Sequence, residues 1–234
     1  MAGAPRAQSR EPLTRLDLVE ETVAFPSRTL SILRPRNAEA LLDEDAFEHE
    51  EFLPYWAELW ASGEALARVV VGRDVSGLRV VELGCGLALP SLAAALGSAR
   101  VLATDWAPDA VELARENARR NELELETAIV RWSEPKALVE RAPWDLVLAA
   151  DVLYERRNVD ELLALLPQLG SEVLLAEPGR PHARTFLERA AEKWRIEQSG
   201  TVYALTATTD ARAAASPRTP RGAAARHRPQ SPRS

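Results

Sequence analysis

A doubly wound α/β sheet is the fold this sequence predicts. Three observations carry it. Short, largely apolar strand segments alternate with helical ones from Val80 onward, a glycine turn (Gly84, Gly86) interrupts the chain just after the first of them, and an acid, Asp105, closes the next strand. Ahead of this alternation, residues 16–25 and 29–33 suggest a hairpin around Pro26-Ser27. Pro54-Tyr55-Trp56-Ala57-Glu58-Leu59-Trp60 then leads into a small-residue helix, and Trp56 and Trp60, four apart, would share one face of a helix.

Each later element has its own local reason. Pro90 lies where a first helical turn tolerates proline, and the helix running from Ser91 to Leu96 stops at Gly97. A second helix is predicted from Pro108 to about Asn121. Residues 127–131, 145–150 and 172–176 read as the third, fourth and fifth strands, apolar enough to be buried on both faces. Asn158 and Glu161 have capping-box spacing ahead of Leu162, Leu163, Leu165 and Leu166. Residues 183–194 follow as an amphipathic helix. Residues 195–199 and 201–206 then form a hairpin across Gly200, the antiparallel pair that finishes a seven-strand sheet.

At 234 residues and 46% hydrophobic composition, the chain has material for one sizeable core. Its single cysteine, Cys85, has no disulfide partner in the chain, which predicts a reducing, cytoplasmic setting. No run approaches the ~20 apolar residues of a membrane span. The first fifteen residues lack the apolar core of a secretory signal, and Glu11 and Asp17 come too early for an organelle transit peptide. Charge is uneven: residues 211–234 hold six Arg and no acid, so a chain charge of −6 leaves −12 on residues 1–210. That tail, built of Ala, Arg, Pro and Ser, is read as solvated and disordered rather than as a nucleic-acid tether. An acidic body argues against phosphate-rich partners.

The glycine turn carries the chemistry. Gly84 and Gly86 let backbone approach a ligand closely, because no Cβ stands in the way, and an acid at the tip of the next strand accepts both hydroxyls of a ribose. A dinucleotide fingerprint would place a third glycine at Leu89, so a diphosphate cradle is disfavoured. Glu82, inside the strand end, suits a cationic amino acid portion. S-adenosylmethionine combines such a portion with a ribose and an adenine. Glu82 can alternatively cap neighbouring backbone amides, and Asp105 can cap the helix opening at Pro108. Three scattered histidines and one cysteine offer no cluster with metal-ligand spacing.

The ordered set Val80 to Gly86, Ala103-Thr104-Asp105-Trp106, Glu116-Asn117-Ala118-Arg119-Arg120-Asn121, Val130-Arg131-Trp132 and Trp144 to Tyr154 resembles the seven-strand class I S-adenosylmethionine-dependent methyltransferases. The likeness covers residues 53–206. The Pro54 to Trp60 segment, with Asp151-Val152-Leu153-Tyr154, is similar to the branch that contains protein lysine methyltransferases. What the resemblance implies is a Rossmann-like domain over residues 53–209, flanked by an extension with an accessory β-hairpin (1–52) and the basic tail (210–234). It further implies a cofactor site from Trp60, Glu82, Gly84, Cys85, Gly86, Asp105, Trp106, Trp132 and Ala150. Trp106 and Trp132 would flank the adenine, although core packing suits either ring as well. Arg131 stands where the family often has an acid for the adenine amino group.

Asp151 and Tyr154, three apart after the fourth strand, would point into one space if the chain enters a helical turn there. They are the candidate catalytic pair, with a cap and a rim aromatic as the plainer reading. The implied activity is N-methylation with a protein lysine as leading acceptor. A small amine acceptor, or a cofactor-binding module without catalysis, is the alternative. Neither a metal nor a membrane is expected, and nucleic acid is disfavoured: the Asn/Asp-Pro-Pro-aromatic pattern of DNA and RNA amino-methylating enzymes is absent from residues 151–154.

Overall fold

The structure, a computed structural model, describes residue 13, residues 16–41 and residues 54–208. Nine strands lie in two sheets among these residues. Strands β1 (Leu18–Ala24) and β2 (Thr29–Pro35) form the antiparallel accessory hairpin. The main sheet holds β3 (Arg79–Leu83), β4 (Arg100–Asp105), β5 (Glu126–Ile129), β6 (Leu146–Ala150), β7 (Glu172–Ala176), β8 (Trp194–Ser199) and β9 (Val202–Ala207), in spatial order β5-β4-β3-β6-β7-β9-β8. The first five run parallel, while β9 and β8 complete the edge antiparallel. The predicted seven-strand sheet with its terminal hairpin is therefore present. The predicted tail, residues 210–234, lies outside the described residues.

Helices α1 (Ala61–Val71), α2 (Leu89–Leu96) and α3 (Pro108–Arg120) cover one face of the sheet; α4 (Lys136–Val139), α5 (Arg156–Leu169) and α6 (Ala183–Ala190) cover the other. Alternation along the central strands divides the core. Val80, Leu146, Leu148 and Leu174 pack toward α1–α3, and Val81, Val147, Val173 and Leu175 toward α4–α6. Runs apolar at every position are what burial on both faces requires.

The hairpin is docked by amide side chains as well as by Val23, Leu30 and Ile32. Asn117 and Asn121, one turn apart on the α3 face, act like a third strand. Asn117 Oδ1 accepts the Leu33 N–H at 2.7 Å and its Nδ2 donates to the Leu33 carbonyl at 3.2 Å. Asn121 does the same at Ser31, at 2.9 and 2.7 Å. This satisfies the edge of β2 that β1 leaves open.

Four local expectations are corrected. Trp56 and Trp60 do not share a helix: a 3-10 turn spans Tyr55–Ala57, and Trp60 is the extended residue before α1. The third strand ends at Ile129, although the Val130 N–H still donates to the Asp105 carbonyl, so Arg131 and Trp132 leave the sheet for the site. Asn158 is the third residue of α5 rather than its cap, and its Nδ2 donates back to the Val152 carbonyl at 2.9 Å. Helix α6 stops at Ala190, and Trp194, buried, opens β8 instead.

Candidate active site

Chain order reverses between β3 and β6, since β4 and β5 extend the sheet to one side and β7 to the other. Loops leaving two such strands diverge and open a crevice at their carboxyl ends. A cavity is found there, and every one of the predicted site residues lines it: Trp60, Glu82, Gly84, Cys85, Gly86, Asp105, Trp106, Trp132, Ala150, Asp151 and Tyr154.

The β3 side is built from backbone. Gly84 and Gly86 have φ of 67° and 49°, and a Cβ on Gly86 would lie 3.1 Å from the Trp56 carbonyl oxygen. At Gly84 a Cβ would press on Val152 at 3.2 Å and on the Trp132 ring at 3.4 Å, so glycine lets that ring settle over the turn. Ala88, also left-handed with φ 63°, ends the turn immediately before α2. Asp105 fastens the turn: its carboxylate accepts the N–H of Gly86 and of Ala107, each at 2.9 Å. Burial nevertheless pushes its pKa up.

Glu82 is buried, and one carboxyl oxygen accepts both the backbone N–H of Ser91 at 2.9 Å and the Ser91 hydroxyl at 2.5 Å. The cap at the start of α2 is thus real, and the same side chain also lines the cavity. Burial, with a smaller push from Asp105, raises its pKa to about 8 against the Ser91 bonds. Cys85 is buried beside it and its thiol is likewise pushed up by burial. The Arg131 guanidinium lies 5.9 Å from the Trp106 ring centroid, which gives this departure from the family pattern a stacking role.

The β6 side is held by side chains. The helical turn expected after β6 is absent: Asp151 has φ 55° and α5 begins at Arg156. Aspartate is among the residues that tolerate that conformation. Its carboxylate is clamped by Arg180, with Nε donating to Oδ1 at 2.6 Å and Nη2 to Oδ2 at 2.9 Å, and the Ser62 hydroxyl reaches Oδ2 at 3.3 Å. The Tyr154 ring packs 4.9 Å from that of Tyr55, and burial keeps its phenol well above the usual range. Arg180 and Glu177 carry no sequence signal that singles them out, and Tyr55 is marked only by its place in the Pro54 to Trp60 segment. Among the described residues no group of three or more His, Cys, Asp or Glu side chains is placed to hold a metal ion, and no helix is long and apolar enough to cross a membrane.

This sheet order, crevice and turn define a methyltransferase-type α/β domain. The chain belongs to the lysine methyltransferase family, whose model matches residues 54–192. It is similar to the electron transfer flavoprotein beta subunit lysine methyltransferase of Xenopus laevis, 35% identical over 139 residues that cover 54% of this chain and 53% of that one. The same enzyme of Homo sapiens is 31% identical over 163 residues, covering 67% and 60%. The chain therefore spans between half and two thirds of the length of these relatives. Among solved structures, a 16S rRNA methyltransferase of T. thermophilus, in complex with AdoMet and guanosine, shares the fold with a TM-score of 0.60 at 13% identity, over 81% of this chain and 50% of that one.

Proposed function

We propose that this chain transfers a methyl group from S-adenosylmethionine to the side-chain nitrogen of a protein lysine. The observation that carries the reading is the meeting, in one cavity at the switch point, of a glycine turn and buried acids on one side with Asp151 and Tyr154 on the other, in a chain of the lysine methyltransferase family. The residues fit this cofactor, because glycine at Gly84 lets the Trp132 ring, a flat partner for an adenine, close over the turn and a strand-tip acid suits a ribose. In this reading Gly84, Cys85 and Gly86 border the methionine portion, and Glu82 faces its amino end. Asp105 takes the ribose, Trp106 and Trp132 flank the adenine, and Trp60 and Ala150 close the slot.

When bound, the cofactor supplies a methyl group on a sulfonium. The protein's work is alignment, and holding reactants at near-attack distance supplies up to ~7–11 kcal/mol. Both Asp151 oxygens are engaged by Arg180, so Asp151 orients the acceptor rather than serving as a free base. An acceptor amine must be neutral, which the aromatic wall of Tyr55, Trp60 and Tyr154 favours by desolvation. The phenol of Tyr154, kept protonated, is a hydrogen-bond donor at that wall. Residues 53–209 form the transferring unit in this reading, with the hairpin extension contributing to acceptor choice, and the lone cysteine supports a cytoplasmic setting.

Methyl-labelled S-adenosylmethionine, incubated with the chain and either the electron transfer flavoprotein beta subunit or fractionated lysate, tests the reading. Label on a protein lysine, located by mass spectrometry, is expected. Label confined to small molecules would move the acceptor to small amines. Cofactor binding without transfer would leave a binding module.

A further inference from the structure

Asp151 is buried, yet its carboxylate is held by a residue 29 positions further along the chain. Arg180 makes two parallel bonds to it, at 2.6 and 2.9 Å, a geometry that fixes the plane of a carboxylate as well as its charge. The same guanidinium lies over Trp60, with Cζ 5.4 Å from the ring centroid. Trp60 lines the cavity. It is 36% exposed and precedes α1 in extended backbone, with its Nε1 donating to the Tyr55 carbonyl at 2.7 Å.

Arg180 is itself aimed by Glu177, just past the end of β7. Glu177 Oε1 accepts the N–H of Gly179 at 2.8 Å and of Arg180 at 2.5 Å, folding residues 177–180 into a tight loop in which Gly179 has φ 103°. The other oxygen, Oε2, is buried without a hydrogen-bond partner, so this carboxylate is retained at a desolvation cost. Glu177 thus holds the backbone of Arg180, and Asp151 takes its guanidinium.

We propose that Arg180 is a positioning residue for methyl transfer, fixing the Asp151 carboxylate and, beside it, the Trp60 ring in the cavity wall, with Glu177 holding the loop that carries Arg180. The proposal rests on the functional reading above and adds residues to it. It makes two separable claims: Arg180 acts on transfer through Asp151, and on cofactor binding through Trp60.

The test compares Arg180→Lys, Arg180→Ala, Glu177→Gln, Asp151→Asn and the Arg180→Lys/Asp151→Asn double variant. Readouts are calorimetric affinity for S-adenosylhomocysteine, label transfer to the protein fraction that wild type labels, and melting temperature as the control for folding. Lysine keeps the charge but not the fork. Arg180→Lys is expected to melt near wild type and to lose about tenfold or more in turnover, the worth of a bond to a charged group. The double variant should be no slower than Asp151→Asn alone. Arg180→Ala should bind S-adenosylhomocysteine about two- to fivefold more weakly, the scale of a partly exposed cation–π pair, whereas Asp151→Asn should bind it normally. Glu177→Gln should reproduce the Arg180→Lys defect in milder form. Losses that multiply in the double variant, or unchanged affinity in Arg180→Ala, would overturn the proposal. If wild type labels no protein, the functional reading fails, and the binding arm still decides the link to Trp60.

Discussion

The two lips of the cavity are built by different means. On the β3/β4 lip, backbone does the shaping: Gly84, Gly86 and Ala88 are left-handed, and Asp105 ties two amides together within that short stretch of structure. The β6/β7 lip depends on side chains, two of its ties reaching far along the sequence: Arg180 holds Asp151 and Tyr55 packs on Tyr154, while Asn158 makes a local bond back to Val152. Backbone shaping demands particular residue types at fixed spacing. Side-chain scaffolding can be met by many combinations. A cofactor common to a family suits the first kind of construction, and an acceptor that differs between members suits the second.

If that contrast holds, damage to the first lip should cost both stability and cofactor binding, and Asp105→Ala should do the most harm. It removes the acceptor of two amide bonds, each worth about 1.5–3 kcal/mol when made to a charged group. The expected result is a clear fall in melting temperature together with loss of S-adenosylmethionine affinity by calorimetry. A variant that melts normally but binds nothing would mean Asp105 serves the ligand alone, and the turn is held by other means.

Glu82 gives the next effect, through pH. Its carboxyl is raised from 4.5 to about 8 in the folded protein, so the fold binds a proton that the unfolded chain releases. The resulting stability is whole below about pH 4.5 and is lost as pH rises through about 8. The ceiling is on the order of a few kcal/mol. Asp105, shifted in the same direction, adds to the slope. Melting curves from pH 5 to 8.5 should therefore fall for wild type and flatten in Glu82→Gln. S-adenosylmethionine should flatten them too, because a nearby ammonium favours the charged carboxylate. An unchanged slope in its presence would detach Glu82 from the amino end.

What was legible in the sequence follows the same division. Gly84, Gly86 and Asp105 announce themselves because few residues do their work, and the apolar runs of β3, β6 and β7 follow from burial on both faces. Spacing misled wherever a second structure satisfied it equally. Asn158 and Glu161 imitate a capping box, but Asn158 is needed inside α5 to tie down the loop after β6. Trp56 and Trp60 imitate a helical face across what is a 3-10 turn and an extended residue. Trp194 continues the apolar period of α6 and belongs to β8. The Arg180 clamp and its Glu177 brace left no trace, since nothing local marks a partner 29 residues away. Asn117 and Asn121 were visible as part of a family motif, and the structure supplies their physical reason in the hairpin edge.

A smaller effect separates the hairpin from the β3/β4 lip. Asn121→Ala removes the two bonds to Ser31, and Asn117→Ala removes the pair to Leu33 together with a 3.3 Å bond to the Leu87 carbonyl in the glycine turn. Each should cost about 1–2 kcal/mol, or roughly 2–8 °C in melting temperature. Cofactor affinity should hold in Asn121→Ala and weaken in Asn117→Ala. Equal affinities would show that the turn does not depend on the α3 contact.

Tyr154→Phe should disturb the protein least and says most about the second lip. The ring, packed against Tyr55, survives the change, so stability and S-adenosylmethionine affinity should stay near wild type. What is lost is the phenol hydroxyl alone, whose pKa burial raises further. If that hydroxyl positions the acceptor nitrogen in the transition state, kcat and kcat/KM for the acceptor should fall together. If the ring only walls the channel, both should stay put, while Tyr154→Ala, which opens the wall to water, should slow transfer. A third pattern, a raised acceptor KM with kcat unchanged, would place the phenol in ground-state binding of the acceptor. Single-turnover transfer with a verified protein acceptor separates the three, and full activity in both Tyr154→Phe and Asp151→Ala would move the chemistry away from this pair.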